Sequence, residues 1–360
     1  MTDKCIIDYL SLVFDNDELD RLKMLAKLQF ENDKTRNFQD YYHALLSPED
    51  VNNFDQVLGA NIEEFITKLN TTMNKYYYDL KDWKNVSGES FSPADYQFWS
   101  IKNNHFGRFK YDNSANLYFD GQLVGLVCWG CKNYGAMVSF SGKACGSLNF
   151  DEMYKICEDL GYVRISRIDI AHDDFTGTHN VNTCRQMFKN GLFTVTSEPS
   201  YQYFESGVLS KSGKLIPCNG RSFYVGKRTS GKMLRCYEKG KQLKDENNPD
   251  WNRWEVELRN IDRIIPLDAL KDPHKYFAGA YPALASFSKR QERTVLKVKK
   301  LVATYNHLFK YLKQGYAPLM NFAFHVLGKT KEEIFDDITQ GLFIDDFPKR
   351  IKFEALVLST

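Results

Sequence analysis

Three short runs of the sequence place charged and phenolic side chains at alternating positions. They are Arg167-Ile168-Asp169-Ile170-Ala171-His172-Asp173, Leu234-Arg235-Cys236-Tyr237-Glu238-Lys239 and Arg253-Trp254-Glu255-Val256-Glu257-Leu258-Arg259. Alternate residues of a strand share a face. One face therefore carries Arg167, Asp169 and Asp173, another Arg235, Tyr237 and Lys239, and a third Arg253, Glu255, Glu257 and Arg259. If these faces adjoin, three or four carboxylates converge, and like charges that close raise one another's pKa unless a cation lies among them. An all-oxygen cluster suits a hard divalent ion, Mg2+ or Mn2+, which acts on a phosphoryl oxygen as a Lewis acid. Tyr237 is the natural nucleophile if the chemistry is phosphoryl transfer. A phenol is only about 0.1% ionised at pH 7, so it needs a base or a cation nearby, such as Arg235, Lys239 or the metal. The competing explanation is a solvent-facing sheet whose charges pair across strands.

These runs need a sheet to hold them. Asn116–Cys128 contains Asp120-Gly121 between apolar stretches, a hairpin signal. Ala136–Phe140, Tyr162–His172 and the segments near 200–209, 221–228, 232–239 and 251–259 complete a strand series. Two helices interrupt it: Phe150–Leu160, stopped by Gly161, and Asn180–Lys189, stopped by Gly191. Lys241–Asp250 has the composition of a charged loop. The expected fold class is α+β, a central antiparallel or mixed sheet with covering helices. Before it, Asp15 to about Leu80 has helical periodicity, and Asn85–Pro93 is turn-rich. After Pro266 helical periodicity returns, with a basic run from Lys289 to Lys313 suited to phosphate contact or to a solvated face. The expected domains are an acidic helical region at 1–90, an α+β domain at 95–265 and a basic helical region at 266–360.

The net charge of +2 selects no partner, but its distribution is uneven. Residues 1–100 hold 10 Lys and Arg against 18 Asp and Glu, so the remainder is the basic part and the place for a polyanion. No apolar run approaches the ~20 residues of a membrane helix, and Asp8 interrupts the apolar run that follows Met-Thr-Asp-Lys, against a secretory leader. Eight cysteines in 360 residues are too sparse for a disulfide scaffold. Cys128 and Cys131 have no second pair at zinc spacing. Tyr76-Tyr77-Tyr78 suits either base stacking or helix packing.

The runs at 167–173, 224–230 (Tyr-Val-Gly-Lys-Arg-Thr-Ser), 235–239 and 253–259, in that order, resemble the replication initiation factor family. That family comprises initiators of small staphylococcal rolling-circle plasmids, related conjugative relaxases and filamentous-phage initiators. The resemblance covers about residues 135–260. It implies a metal-dependent nicking-closing enzyme in which Tyr237 attacks one phosphodiester of a phage or plasmid origin, leaving a 5′-phosphotyrosyl link and a free 3′-OH. Arg235 and Lys239 would assist electrostatically. Asp169 and one or both of Glu255 and Glu257, with Asp173 as a further candidate, would hold Mg2+ or Mn2+. Arg167, Lys227, Arg228 and Arg253 would contact DNA.

No pair of the seven His lies at i, i+2, which agrees with the ligation by carboxylates that the resemblance implies. No second tyrosine lies at helical spacing from Tyr237, so termination needs a second subunit, hence a possible homo-oligomer, or an activated water. No Gly-x-x-x-x-Gly-Lys-Ser/Thr loop is present, which points to a host helicase beside the host polymerase. The expected setting is the cytoplasm of a bacterial host, without membrane contact. The alternatives are a non-catalytic origin-binding regulator with the same fold and a metal nuclease that uses water.

Overall fold

The structure, a computed structural model, describes residues 5–32, 37–80, 97–130, 135–195, 197–261, 263–287, 312–313 and 316–339. Ten strands form one sheet: β1 Ile6–Phe14, β2 Trp99–Asn103, β3 Asn113–Phe119, β4 Gln122–Gly130, β5 Gly135–Phe140, β6 Val163–Asp174, β7 Tyr201–Leu209, β8 Leu215–Lys227, β9 Lys232–Glu238 and β10 Asn252–Arg259. Their order across the sheet is β2-β3-β4-β5-β1-β6-β10-β9-β8-β7, and every neighbouring pair is antiparallel. The helices are α1 Asp17–Asn32, α2 Phe38–Ala44, α3 Pro48–Leu80, α4 Gly142–Cys145, α5 Phe150–Leu160, α6 Val181–Lys189, α7 Lys239–Leu243 and α8 Pro273–Ala280, with a further helix at Lys331–Thr339. The fold is α+β, as expected.

Local chemistry explains most boundaries. Asp120 and Gly121, at φ 47° and 74°, make the two-residue hairpin turn between β3 and β4. Asn149 and Asn180 accept hydrogen bonds from first-turn amides of α5 and α6, and Gly161 closes α5 in the left-handed region. In α3, Leu58, Ile62, Phe65, Ile66, Leu69 and Met73 recur at three and four residues and all are buried. Buried Asn70 exchanges two 2.9 Å hydrogen bonds with the backbone of Trp99, fastening α3 to β2.

Two strands carry no sequence signal that marked them. β1 lies where an apolar run broken by Asp8 leads into helical periodicity, yet it pairs with both β5 and β6 in the middle of the sheet. β2 is a short edge strand. The segment 241–250 is a loop only in part, because α7 begins at Lys239 and ends at Leu243.

The strands of the site present a clean division. Ile168, Ile170, Leu234, Cys236, Trp254, Val256 and Leu258 are buried in the core, where each large apolar side chain is worth roughly 1.5–3 kcal/mol. Helices α5, α6 and α8 pack on these strands. The alternate residues of the same strands form the other face.

The chain divides into two compact units, Met1–Ile261 with Ile265–Thr294, and Asp262–Ile264 with Val295–Thr360. In the second, Thr330 and Glu333 form a reciprocal cap on Lys331–Thr339. Leu319, Met320, Leu327, Ile334 and Ile338 line an apolar cavity of about 480 Å3 there. The basic residues from Lys289 to Lys310, Cys131 and the side chains of Tyr76–Tyr78 lie outside the described residues. Among the described residues no helix is long and apolar enough to cross a membrane.

Candidate active site

Strand register brings the polar faces together. Across β6 and β10, Asp169 stands opposite Glu257, Asp173 opposite Arg253 and Arg167 opposite Arg259. Across β10 and β9, Glu255 stands opposite Arg235 and Arg253 opposite Tyr237. Directly opposed residues share a face, so one surface of β6, β10 and β9 holds Tyr237, Arg235 and all four candidate carboxylates.

Asp169 and Glu257 are each 1% exposed and Glu255 5%. Carboxylates this buried require compensating charge and hydrogen bonds. Three arginines supply both. Arg235 Nη2 lies 2.9 Å from Asp169 Oδ2, 2.5 Å from Glu255 Oε1 and 3.5 Å from Glu257 Oε2. Arg167 donates to both oxygens of Asp169, at 2.8 and 2.6 Å, and to Glu257 at 3.0 Å. Arg259 Nε pairs with the other oxygen of Glu257. The cation that such a cluster demands is therefore a guanidinium, and Arg235 Nη2 stands at the point where the three acids converge.

Tyr237 Oη donates to Glu255 Oε2 at 3.2 Å. Burial first, then the Glu255 charge, hold the phenol above its ordinary pKa. Burial also lifts the Glu255 carboxyl, to about 7; Arg235 opposes this rise and the Asp169 and Asp8 charges add to it. Lys239, the first residue of α7, brings Nζ to 5.6 Å from the centre of the Tyr237 ring. Its own pKa is lowered by burial and by Arg253.

Asp173 belongs to a neighbouring network. It is separated from Asp169 along β6 by Ala171, and its oxygens accept from Arg253 Nε and Nη2, both at 2.7 Å, and from Trp251 Nε1 at 2.6 Å. Arg253 also donates to Asp8 at 2.8 Å. Asp8 reaches it because the β1 register slips between Ile7 and Tyr9, a bulge that redirects a side chain.

The four arginine and lysine positions assigned to DNA separate into two kinds. Lys227 and Arg228 are exposed at the turn after β8. Arg167 is paired with carboxylates and lies over the Tyr9 ring at 4.3 Å, and Arg253 is buried in its own ion pairs. As placed, these two organise the acids.

Sequence patterns do not reveal Asp8 and Tyr9, because nothing local links β1 to Arg167 and Arg253, the latter 245 positions from Asp8. The outward-facing Arg259 was visible in the alternation, but its pairing with Glu257 was not.

The oxygen donors Asp169, Glu255 and Glu257 match the chemistry of a hard cation. Among the described residues, however, no three His, Cys, Asp or Glu side chains stand arranged as metal ligands, since guanidinium groups take the oxygens that would serve.

A cavity of about 580 Å3 adjoins the phenol, lined by residues including Phe204, Ser222, Tyr224, Arg235, Tyr237 and Glu255.

No curated protein matches the chain. Among solved structures it is similar to a rolling circle replication initiator protein from Geobacillus stearothermophilus, with 22% identity, 71% of this chain and 74% of that chain covered, and a TM-score of 0.39. Residues 163–339 match the family model described as replication initiation factor, a span that begins at β6 and contains all four motif runs.

Proposed function

We propose that this chain is a rolling-circle replication initiator that nicks and rejoins one strand of a phage or plasmid origin through Tyr237. The observation that carries this reading is the hydrogen bond from Tyr237 Oη to Glu255 Oε2, on a face where Arg235 and Lys239 adjoin the same phenol. The match to the replication initiation factor model over these strands supports it. By length and overall character the chain resembles RstA, the replication protein of the filamentous phage that carries cholera toxin genes.

In the first step Glu255, in its charged form, takes the phenol's proton at Oε2. The phenolate oxygen forms a bond to the scissile phosphorus, the bond from phosphorus to the 3′ oxygen breaks, and that oxygen leaves and is protonated. The products are a 5′-phosphotyrosyl link on residue 237 and a free 3′-OH from which the host polymerase extends. Rejoining runs the same bonds in reverse. Arg235 and Lys239 stabilise negative charge on the phenolate and the phosphate. Lys227 and Arg228, at the exposed turn, suit contacts with the DNA backbone, which are sequence-independent.

Asp169, Glu255 and Glu257 are the residues that would hold Mg2+ or Mn2+, in exchange for Arg235. Such an ion supplies a Lewis acid for a phosphoryl oxygen.

The test is incubation of the protein with labelled single-stranded origin DNA and Mn2+, followed by a denaturing gel. A label that co-migrates with the protein supports the reading. Cleaved ends free of protein would identify a nuclease using water, and binding without cleavage a non-catalytic regulator.

A further inference from the structure

The cavity beside Tyr237 has a floor built from the same sheet face. Tyr237 stands opposite Ser222 and Arg235 opposite Tyr224 across β9 and β8, and Ser222 stands opposite Phe204 across β8 and β7. The strip from the phenol to the edge strand therefore ends in two aromatic rings. Phe204 and Tyr224 lie 5.2 Å apart and tilted by 58°, and Phe204 is 50% exposed although it is a large apolar side chain.

The buried and half-buried charged groups around this cavity are already committed, while Glu205, which is exposed, accepts from Tyr203 Oη at 3.1 Å. Arg221 donates to both oxygens of Glu238, and Arg235 pairs with Asp169 and Glu255. What the walls still offer is aromatic surface, the Ser222 hydroxyl and the Gln242 amide from α7. That combination suits a flat, uncharged, hydrogen-bonding ring better than a phosphate. The volume of about 580 Å3 lies within the range of small-ligand sites.

We infer that this cavity receives one unpaired nucleobase of the DNA strand held at Tyr237, stacked on Phe204 and Tyr224 with its edge toward Ser222 and Gln242. The inference rests on the nicking reading for its position next to the scissile phosphate. Stacking on exposed rings tolerates any base, while the hydroxyl and the amide give a modest preference.

The probe is a single-stranded oligonucleotide of about twelve thymidines in which single positions carry 5-iodouracil, which crosslinks under near-ultraviolet light to an aromatic ring it stacks on. The full chain carrying Tyr237→Phe is used, so that the phosphotyrosine link cannot form. Crosslinked peptides are expected to map to Phe204 or Tyr224. Phe204→Ala should weaken binding of the oligonucleotide about tenfold, and Phe204→Trp should retain it. Crosslinks confined to other aromatic residues, no crosslink at all, or unchanged affinity in Phe204→Ala would overturn the inference. The two readings fail separately. A covalent adduct in the wild-type chain without crosslinks at Phe204 or Tyr224 sinks the base site alone. Crosslinks there with no wild-type adduct sink the nicking reading alone.

Discussion

Tyr237 and Glu255 share one proton across two neighbouring strands, with the phenol as donor and Glu255 Oε2 as acceptor at 3.2 Å. The other oxygen of Glu255 accepts from Arg235. The acceptor's pKa lies near 7 while the donor's is raised above its ordinary value. At rest the proton stays on the phenol, and burial holds the carboxyl that would take it above the ordinary carboxylate range.

A base of this kind sets a pH dependence for the reaction. The rate of adduct formation should rise with pH and level off above an inflection that moves lower as Mn2+ is raised, since only charged Glu255 accepts the proton and a bound cation favours that form. Glu255→Gln should lose about 100-fold in rate and lose the inflection, with origin binding retained. A rapid-quench series from pH 5.5 to 8.5 measures both.

The same titration acts on stability, with a definite sign. Glu255 has a folded-state pKa above its ordinary value of 4.5. The folded protein therefore binds more protons than the unfolded chain between about 4.5 and 7, and stability from this group falls as pH rises through that window. Glu255→Gln removes the effect. The melting temperature of the variant minus that of the wild type should become more positive from pH 5 to pH 8, and a flat difference would contradict the assignment.

Arg235 is the cation shared by Asp169, Glu255 and Glu257. Arg235→Met leaves these buried acids with Arg167 and Arg259 alone, at a cost of about 3 kcal/mol. Millimolar Mn2+ should raise the melting temperature of Arg235→Met far more than that of the wild type, because the ion then takes the vacated position without competition. Equal responses in calorimetry would show that the three acids do not hold the ion.

Asp173 acts through Arg253 and Trp251. Asp173→Ala removes a partner from an arginine whose side chain is only 7% exposed, which should cost about 3 kcal/mol. The Mn2+ concentration for half-maximal nicking should stay unchanged. A rise in that concentration would make Asp173 a metal ligand after all.

Strand alternation makes most of this site legible in the sequence. Period-two patterning in β6, β9 and β10 places Asp169, Tyr237, Glu255 and Glu257 on polar faces, and antiparallel register then joins the faces. Alternation cannot report which side chains pair, so Arg167 and Arg253 read as free cations although both are tied to carboxylates. Nor can it find β1, where Asp8 sits at a bulge and meets a partner 245 positions later. The cavity at Phe204 was equally hidden, since its rings come from two strands with unremarkable patterns.

The most direct test concerns the atom that attacks. Wild-type protein and Tyr237→Phe are incubated with origin DNA and Mn2+, and covalent protein–DNA adducts are digested and mapped by mass spectrometry. The account predicts a nucleotide-bearing peptide at residue 237 in the wild type and no adduct from the variant, whose affinity for DNA stays within about twofold because only a hydroxyl is lost. An adduct from Tyr237→Phe at wild-type yield, or a modified peptide at another tyrosine, would contradict it.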